Sequence, residues 1–322
     1  MRNLFNSLAE AFKPIFDREI IIIFLKFLLI TIMPLSFMLF IASRISSDFA
    51  RGAVALVGFI WFYVMALLSL GVISRIIFIK YFLKKSIEVK NCINFSKNFA
   101  PTYIIIPSVI VLISYILWLL CHFILYASLV PFLGDILLGL IFSPLVIIST
   151  LVALAFSAAI YFAPAIIAAE EVGIARLFRR LFNIIKTLPM YFFVCFLSGL
   201  IVTSVILFAA IVLLSIGVGI LVPVATYVIK SHIIELFRVV GGTYIPGLGL
   251  YRGDLNWTLH IFAFLFYLGS SLLISLVLVA PGIYMCSSSL YIYRLICFYE
   301  ENLKNEGMKQ GGPKTEIQEC KN

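Results

Sequence analysis

The chain has 322 residues, of which 63% are hydrophobic and only 12% charged, with a formal net charge of +9 and a mean hydropathy of +1.15. Soluble globular proteins carry roughly a quarter charged residues and cover their surface with them. This composition therefore excludes a soluble fold and predicts an integral membrane protein. The surplus of Lys and Arg lies between apolar runs and builds no soluble basic domain, so anionic lipid headgroups, and no nucleic acid, are the expected partners.

A membrane-spanning helix needs about 20 predominantly apolar residues. Taken in chain order, six runs qualify, near residues 20–43, 53–79, 102–126, 136–168, 189–216 and 257–290. The predicted class is an all-α polytopic helical bundle with six transmembrane helices and interfacial amphipathic helices. Residues 1–300 form its single transmembrane domain. Residues 301–322, "ENLKNEGMKQGGPKTEIQECKN", are expected to be a polar, disordered cytoplasmic tail. Cys320 lies there as an exposed thiol; the other cysteines show no CxxC or zinc spacing and read as small buried apolar residues.

The N-terminal stretch "MRNLFNSLAEAFKPIFDRE" is too long and too mixed in charge for a signal-peptide leader, and no A-x-A site follows the first apolar run. A seventh apolar run, residues 217–242, carries Lys230, His232, Glu235 and Arg238. Charges at bilayer depth cost several kcal/mol by insertion scales, so this run is expected to lie as an amphipathic helix at the interface, before a Gly-rich loop.

Basic residues set the expected orientation. With the N-terminus inside, the inner segments hold Arg2, Lys13 and Arg18; Arg75, Lys80, Lys84, Lys85, Lys90 and Lys97; Arg176, Arg179, Arg180 and Lys186; and Arg294, Lys304, Lys309, Lys314 and Lys321. The outer segments hold Arg44, Arg51, Lys230, Arg238 and Arg252. This asymmetry predicts both termini in the cytoplasm and the bacterial inner membrane as location.

The longest charged stretch is "EEVGIARLFRRLFNIIKTLPMY", residues 170–191. At helical spacing Ile174, Leu177, Phe178, Leu181, Ile185 and Leu188 share one face, and Arg176, Arg179, Arg180, Asn183, Lys186 and Thr187 fill the other. That pattern predicts an interfacial helix. Similar segments precede other spans: "CINFSKNFAPTY" (92–103) resembles "LFNIIKTLPMY" (181–191), and "SLAEAFKPIFDRE" precedes the first span. In each, a Pro stands where a helix tolerates it, in or near the first turn. Three tandem helix pairs are predicted, each entered by a basic segment.

The run "FAPAIIAAEEVGIARLFRRLFNIIKTLPMYFF" resembles six-helix bacterial membrane domains, some fused to glycerophosphodiester phosphodiesterases and many uncharacterised. There a span ends in Pro and an acidic residue, a basic amphipathic helix follows, and the next span begins. The small polar residue expected beside the basic pair is missing, since Phe178 and Leu181 flank Arg179 and Arg180. The resemblance implies the six-span layout; the chain shows no phosphodiesterase domain, so any such activity is expected to reside elsewhere.

Chemistry is sparse. Lys26 and Arg75 are the only Asp, Glu, Lys or Arg within the predicted spans, which argues against proton- or ion-coupled transport. Pro34, Pro107, Pro144, Pro164 and Pro281 read as ordinary packing of membrane helices. His122, His232 and His260 fall on the expected outer side with Asp135, Glu235 and Asp254. Satisfied interfacial histidines are the better reading there than a metal or haem site, which needs several ligands to converge. No G-x-S-x-G, H-E-x-x-H or Walker pattern occurs, and no cofactor is expected.

The leading expectation is a non-enzymatic scaffold or accessory subunit that engages anionic lipids and a protein partner or a second copy. Lys84, Lys85, Lys90, Lys97, Arg176, Arg179, Arg180 and Lys186 are its contact surface. The alternative is a transporter or carrier for lipid or another apolar solute. An intramembrane enzyme, third, would require His122, His260 and an outer carboxylate to meet.

Overall fold

The structure is a computed structural model that describes residues 2–45, 47–127, 133–229 and 257–309. Within these the chain is helical and contains no strand. The elements in order are α1 (Arg2–Glu10), a 3₁₀ turn (Lys13–Phe16), α2 (Arg18–Arg44), α3 (Asp48–Ile77) running into a π-helical turn (Phe78–Phe82), α4 (Val89–Asn98) and α5 (Ala100–Ala127). Then come α6 (Leu133–Glu170), α7 (Ile174–Thr187), α8 (Pro189–Ile229) and α9 (Trp257–Lys309).

Among the described residues α2, α3, α5, α6, α8 and α9 are long and apolar enough to cross a membrane. The plan is short helix, long helix, long helix, repeated: α1 leads into α2 and α3, α4 into α5 and α6, and α7 into α8 and α9. Each α4 and α7 joins its long partner through one non-helical residue, Phe99 or Leu188, and Pro101 and Pro189 stand in the first turns that follow. At the other end, the second long helix of the first two sets is followed by a residue in the left-handed region, Lys84 and Glu171, each at φ 53°. A left-handed residue at a helix C-terminus ends the helix while satisfying late carbonyls; Glu171 N–H still donates to Ile167 O at 3.0 Å.

Two boundaries differ from the sequence expectation. Helix α8 continues to Ile229, so residues 217–229 extend the fifth long helix and do not begin a separate one. His232, Glu235 and Arg238 lie outside the described residues. Helix α9 begins at Trp257, as expected, and runs to Lys309, past the position 290 at which its span is expected to end. Polar residues at its end do not break a helix that good helix formers such as Glu, Leu and Lys continue. Residues 310–322 of the expected tail are outside the described residues.

The contacts divide the chain into two compact units. The first comprises Met1–Ala11, Ser74–Gly199 and Cys286–Asn322. Its core includes Ile76, Ile106, Tyr161, Phe162, Ile166, Ile167, Leu177 and Ile292, all nearly inaccessible. Alanines 163, 165 and 168 are buried among them, as small residues are where membrane helices approach closely. Gly199 shows how close: a Cβ there would collide with the Tyr161 hydroxyl, which donates to Ser288 Oγ at 2.7 Å.

The second unit comprises Phe12–Ile73 and Leu200–Met285. Hydroxyls link its helices: Ser271 on α9 donates to Ser36 on α2 at 2.6 Å, and Thr31 on α2 lies 3.4 Å from Ser69 on α3. A proline explains a further contact. Pro34 has no N–H, which orphans the carbonyl of Ile30 four residues earlier. The Trp61 indole on α3 donates to that Ile30 carbonyl at 3.2 Å, restoring the bond that the helix cannot make.

This assignment has a testable consequence. Trp61→Phe should destabilise the protein by about 1 kcal/mol, the net value of one such bond. In a Pro34→Ala background, where the Ile30 carbonyl regains an intrahelical partner, the same change should cost clearly less. Thermal unfolding of the four variants in nanodiscs gives the coupling; equal costs in both backgrounds would refute the pairing.

Candidate functional site

The basic residues that the sequence singles out cluster on α4, α7 and the segment before α4, all in the first unit. What positions them is a pair of arginines that face inward. The first is Arg75, near the end of α3. The last carbonyls of any α-helix lack intrahelical donors and carry the negative end of its dipole. Arg75 meets this need at α6: Nη1 donates to Ala168 O at 2.6 Å and Nη2 pairs with Glu171 Oε1 at 2.5 Å. The Phe95 ring of α4 lies 4.3 Å from the guanidinium carbon and Phe78 5.8 Å, so α3, α4 and α6 meet at one charge.

The second is Arg180 on α7. Its Nε donates to Glu170 Oε1 at 3.1 Å and to the Tyr293 hydroxyl at 3.0 Å, its Nη1 pairs with Glu300 Oε2 at 2.8 Å, and its Nη2 donates to Cys297 Sγ at 3.3 Å. Tyr293 in turn donates to Glu170. The Arg180 side chain is 17% exposed and that of Glu300 7%. Burial alone disfavours the guanidinium charge, but Tyr293, Cys297 and Glu300 outweigh it and hold its pKa above the ordinary arginine value. The network fastens α7 to the last residue of α6 and to one face of α9, where Tyr293, Cys297 and Glu300 follow at helical spacing.

On α7 the side facing the protein consists of Leu177, Leu181 and Ile184, all buried. Helix α4 is seated similarly by Cys92 and Ser96. Burial pushes the Cys92 thiol up, with the positive charge of Arg75 partly opposing this, so Cys92 reads as a packing residue and not a nucleophile.

The predicted contact residues divide. Lys84, Lys85, Lys90, Lys97, Arg176, Arg179 and Lys186 are exposed. Arg180, which the helical wheel groups with its neighbours, is turned into the ion-pair network, because its place on the wheel borders the buried face and two carboxylates meet it there. The wheel's single apolar face also splits: Leu177 and Leu181 are buried, while Phe178 and Ile185 are exposed together with Phe182. Sequence reasoning missed Glu170, Tyr293, Cys297 and Glu300. The spacing of the last three was available, but a span drawn to end at 290 hid it.

His122 is exposed, its Nδ1 3.2 Å from Trp118 O and its ring against the Trp118 indole. His232, Glu235 and Asp254 lie outside the described residues, as do the side chains of Asp135 and His260. Among the described residues no three His, Cys, Asp or Glu side chains gather as a metal-ligand group.

Six helices of this length and apolarity make the chain a multi-pass integral membrane protein. Comparisons with protein-family models, curated proteins and solved structures find no match.

Arg180 supplies the test of this arrangement. Removing one partner of a buried ion pair leaves the other uncompensated and costs about 3–5 kcal/mol; because Glu170 keeps some access to water, Arg180→Met should cost about 3 kcal/mol. Arg180→Met combined with Glu300→Gln should recover part of that loss. Unfolding in nanodiscs reads both, and a neutral Arg180→Met would show that the network contributes nothing to stability.

Proposed function

We propose that this multi-pass membrane protein is a non-enzymatic scaffold or accessory subunit of the bacterial inner membrane that presents a basic face to anionic lipid headgroups and to a protein partner. The observation that carries the reading is the division of labour among arginines. Arg75 and Arg180 are consumed by internal ion pairs, whereas Arg176, Arg179 and Lys186 stay exposed on the same short helix, near the lysines of the α4 region in sequence plan.

A helix pinned by its buried side and by Arg180 holds its outward charges in fixed positions at the membrane surface, where each Lys or Arg attracts anionic lipid by about 1 kcal/mol. The excess of basic residues on the segments that join the long helices on this side orients the face, and both termini, toward the cytoplasm. The six-span layout with a basic helix between spans is also what the resemblance to those six-helix bacterial membrane domains implies, and some of these are fused to a phosphodiesterase.

Replacing Arg176, Arg179 and Lys186 together by Gln should lower the enrichment of phosphatidylglycerol over phosphatidylcholine about a hundredfold, at about 1 kcal/mol for each of the three residues. Mass spectrometry of lipid retained by the purified protein measures this. Unchanged enrichment, with the fold intact, would overturn the lipid-binding reading.

A further inference from the structure

The two flanks of α7 differ in chemistry, and this difference goes beyond headgroup binding. Viewed down the helix, Leu177, Leu181 and Ile184 face the protein. About a quarter-turn to one side stand Phe178, Phe182 and Ile185, which are 41%, 66% and 44% exposed. Further round stand Arg176, Arg179 and Lys186, also exposed. A helix surrounded by water has no reason to leave two phenylalanines and an isoleucine uncovered beside a perfectly serviceable buried face.

We infer that α7 lies in the plane of the bilayer with its Phe178, Phe182 and Ile185 flank sunk among the acyl chains of one leaflet and its basic flank at the phosphates. The occupant of the apolar flank is lipid, and two observations on the chain argue for it. First, charge complementarity: the cationic flank follows the apolar one round the helix, their centres roughly 100° apart, so the basic side chains can reach a headgroup layer while the apolar flank meets the hydrocarbon layer. Second, continuity: after the single non-helical residue Leu188 the chain enters α8, a membrane-crossing helix. Its first exposed apolar side chains are Met190, Phe193, Val194 and Leu197, and the exposed side chains of a span face acyl chains. A flank that leads into that surface within a few residues sits at the same hydrocarbon boundary, roughly 5–10 Å below the headgroups. The Arg180 network then sets the angle of the helix about its own axis, because rotating α7 would pull Arg180 from Glu170 and Glu300.

This inference rests on the membrane-surface reading of α7 above, yet it does not depend on selection of anionic lipid. The test places a photocrosslinking benzoylphenylalanine at Phe182 or, separately, at Arg179 of the full chain in nanodiscs of phosphatidylcholine alone and of phosphatidylcholine with phosphatidylglycerol. The substitution at Phe182 replaces one exposed aromatic ring by another and leaves the buried face intact. After irradiation, mass spectrometry should find acyl-chain adducts at position 182 in both bilayers and several-fold fewer at 179. Adducts at 182 to another protein chain, equal acyl labelling at both positions, or no acyl adduct at 182 would each overturn the inference. Loss of phosphatidylglycerol enrichment in the Gln variant is read separately, so a failure of headgroup selection and a failure of insertion are distinguishable.

Discussion

A chain embedded in hydrocarbon has no water with which to satisfy its polar groups, and that single constraint organises what the described residues do. At several points where this sequence leaves a polar group without a helical partner inside an apolar stretch, a side chain from a neighbouring helix completes the bonding. Pro34 strands a carbonyl and Trp61 donates to it. Helix α6 ends, and Arg75 donates to its Ala168 carbonyl while pairing with Glu171. Ser36 and Thr31 meet Ser271 and Ser69. Each repair joins two helices, so the need to satisfy polar groups also fixes which helices are neighbours.

The same logic explains why one short helix of the first unit holds both a part-buried, ion-paired arginine and exposed ones. Helix α7 is too short and too charged to be stable alone, since isolated helices of its length are marginal in water. Its stability comes from packing Leu177, Leu181 and Ile184 and from the Arg180 network, whose partners come from the end of α6 and from α9. Glu300 is nearly fully buried; it is compatible with that position only because Arg180 meets it there. Once those interactions hold the helix, Arg176, Arg179 and Lys186 are presented outward as a consequence and need no contacts of their own.

The repeated plan of short helix and two long helices gives this arrangement a simple origin in local sequence. In α4 and α7 a polar or basic last turn, one non-helical residue and a nearby Pro mark the same break between a short helix and the long helix after it. Lys84 and Glu171 produce the same stop at the end of the preceding long helix. Glu171 does more than stop the helix, because its carboxylate is also the partner of Arg75.

The all-α class, the six long apolar helices and the short charged helices between them were legible in the sequence, because length, hydropathy and a period of 3.6 residues are local properties. Proline and the charged residues likewise announced α4 and α7. What only the tertiary structure decided is which members of a basic cluster are spent inside the protein. Arg179 and Arg180 are adjacent, identical in type and indistinguishable by composition, yet one is exposed and the other paired with Glu170 and Glu300. The partners come from residues up to 120 positions away in sequence, and helical periodicity carries no information about which distant face will close over a given side chain. For the same reason the apolar side of α7 looked like one face in sequence and became two, one packed on protein and one left exposed.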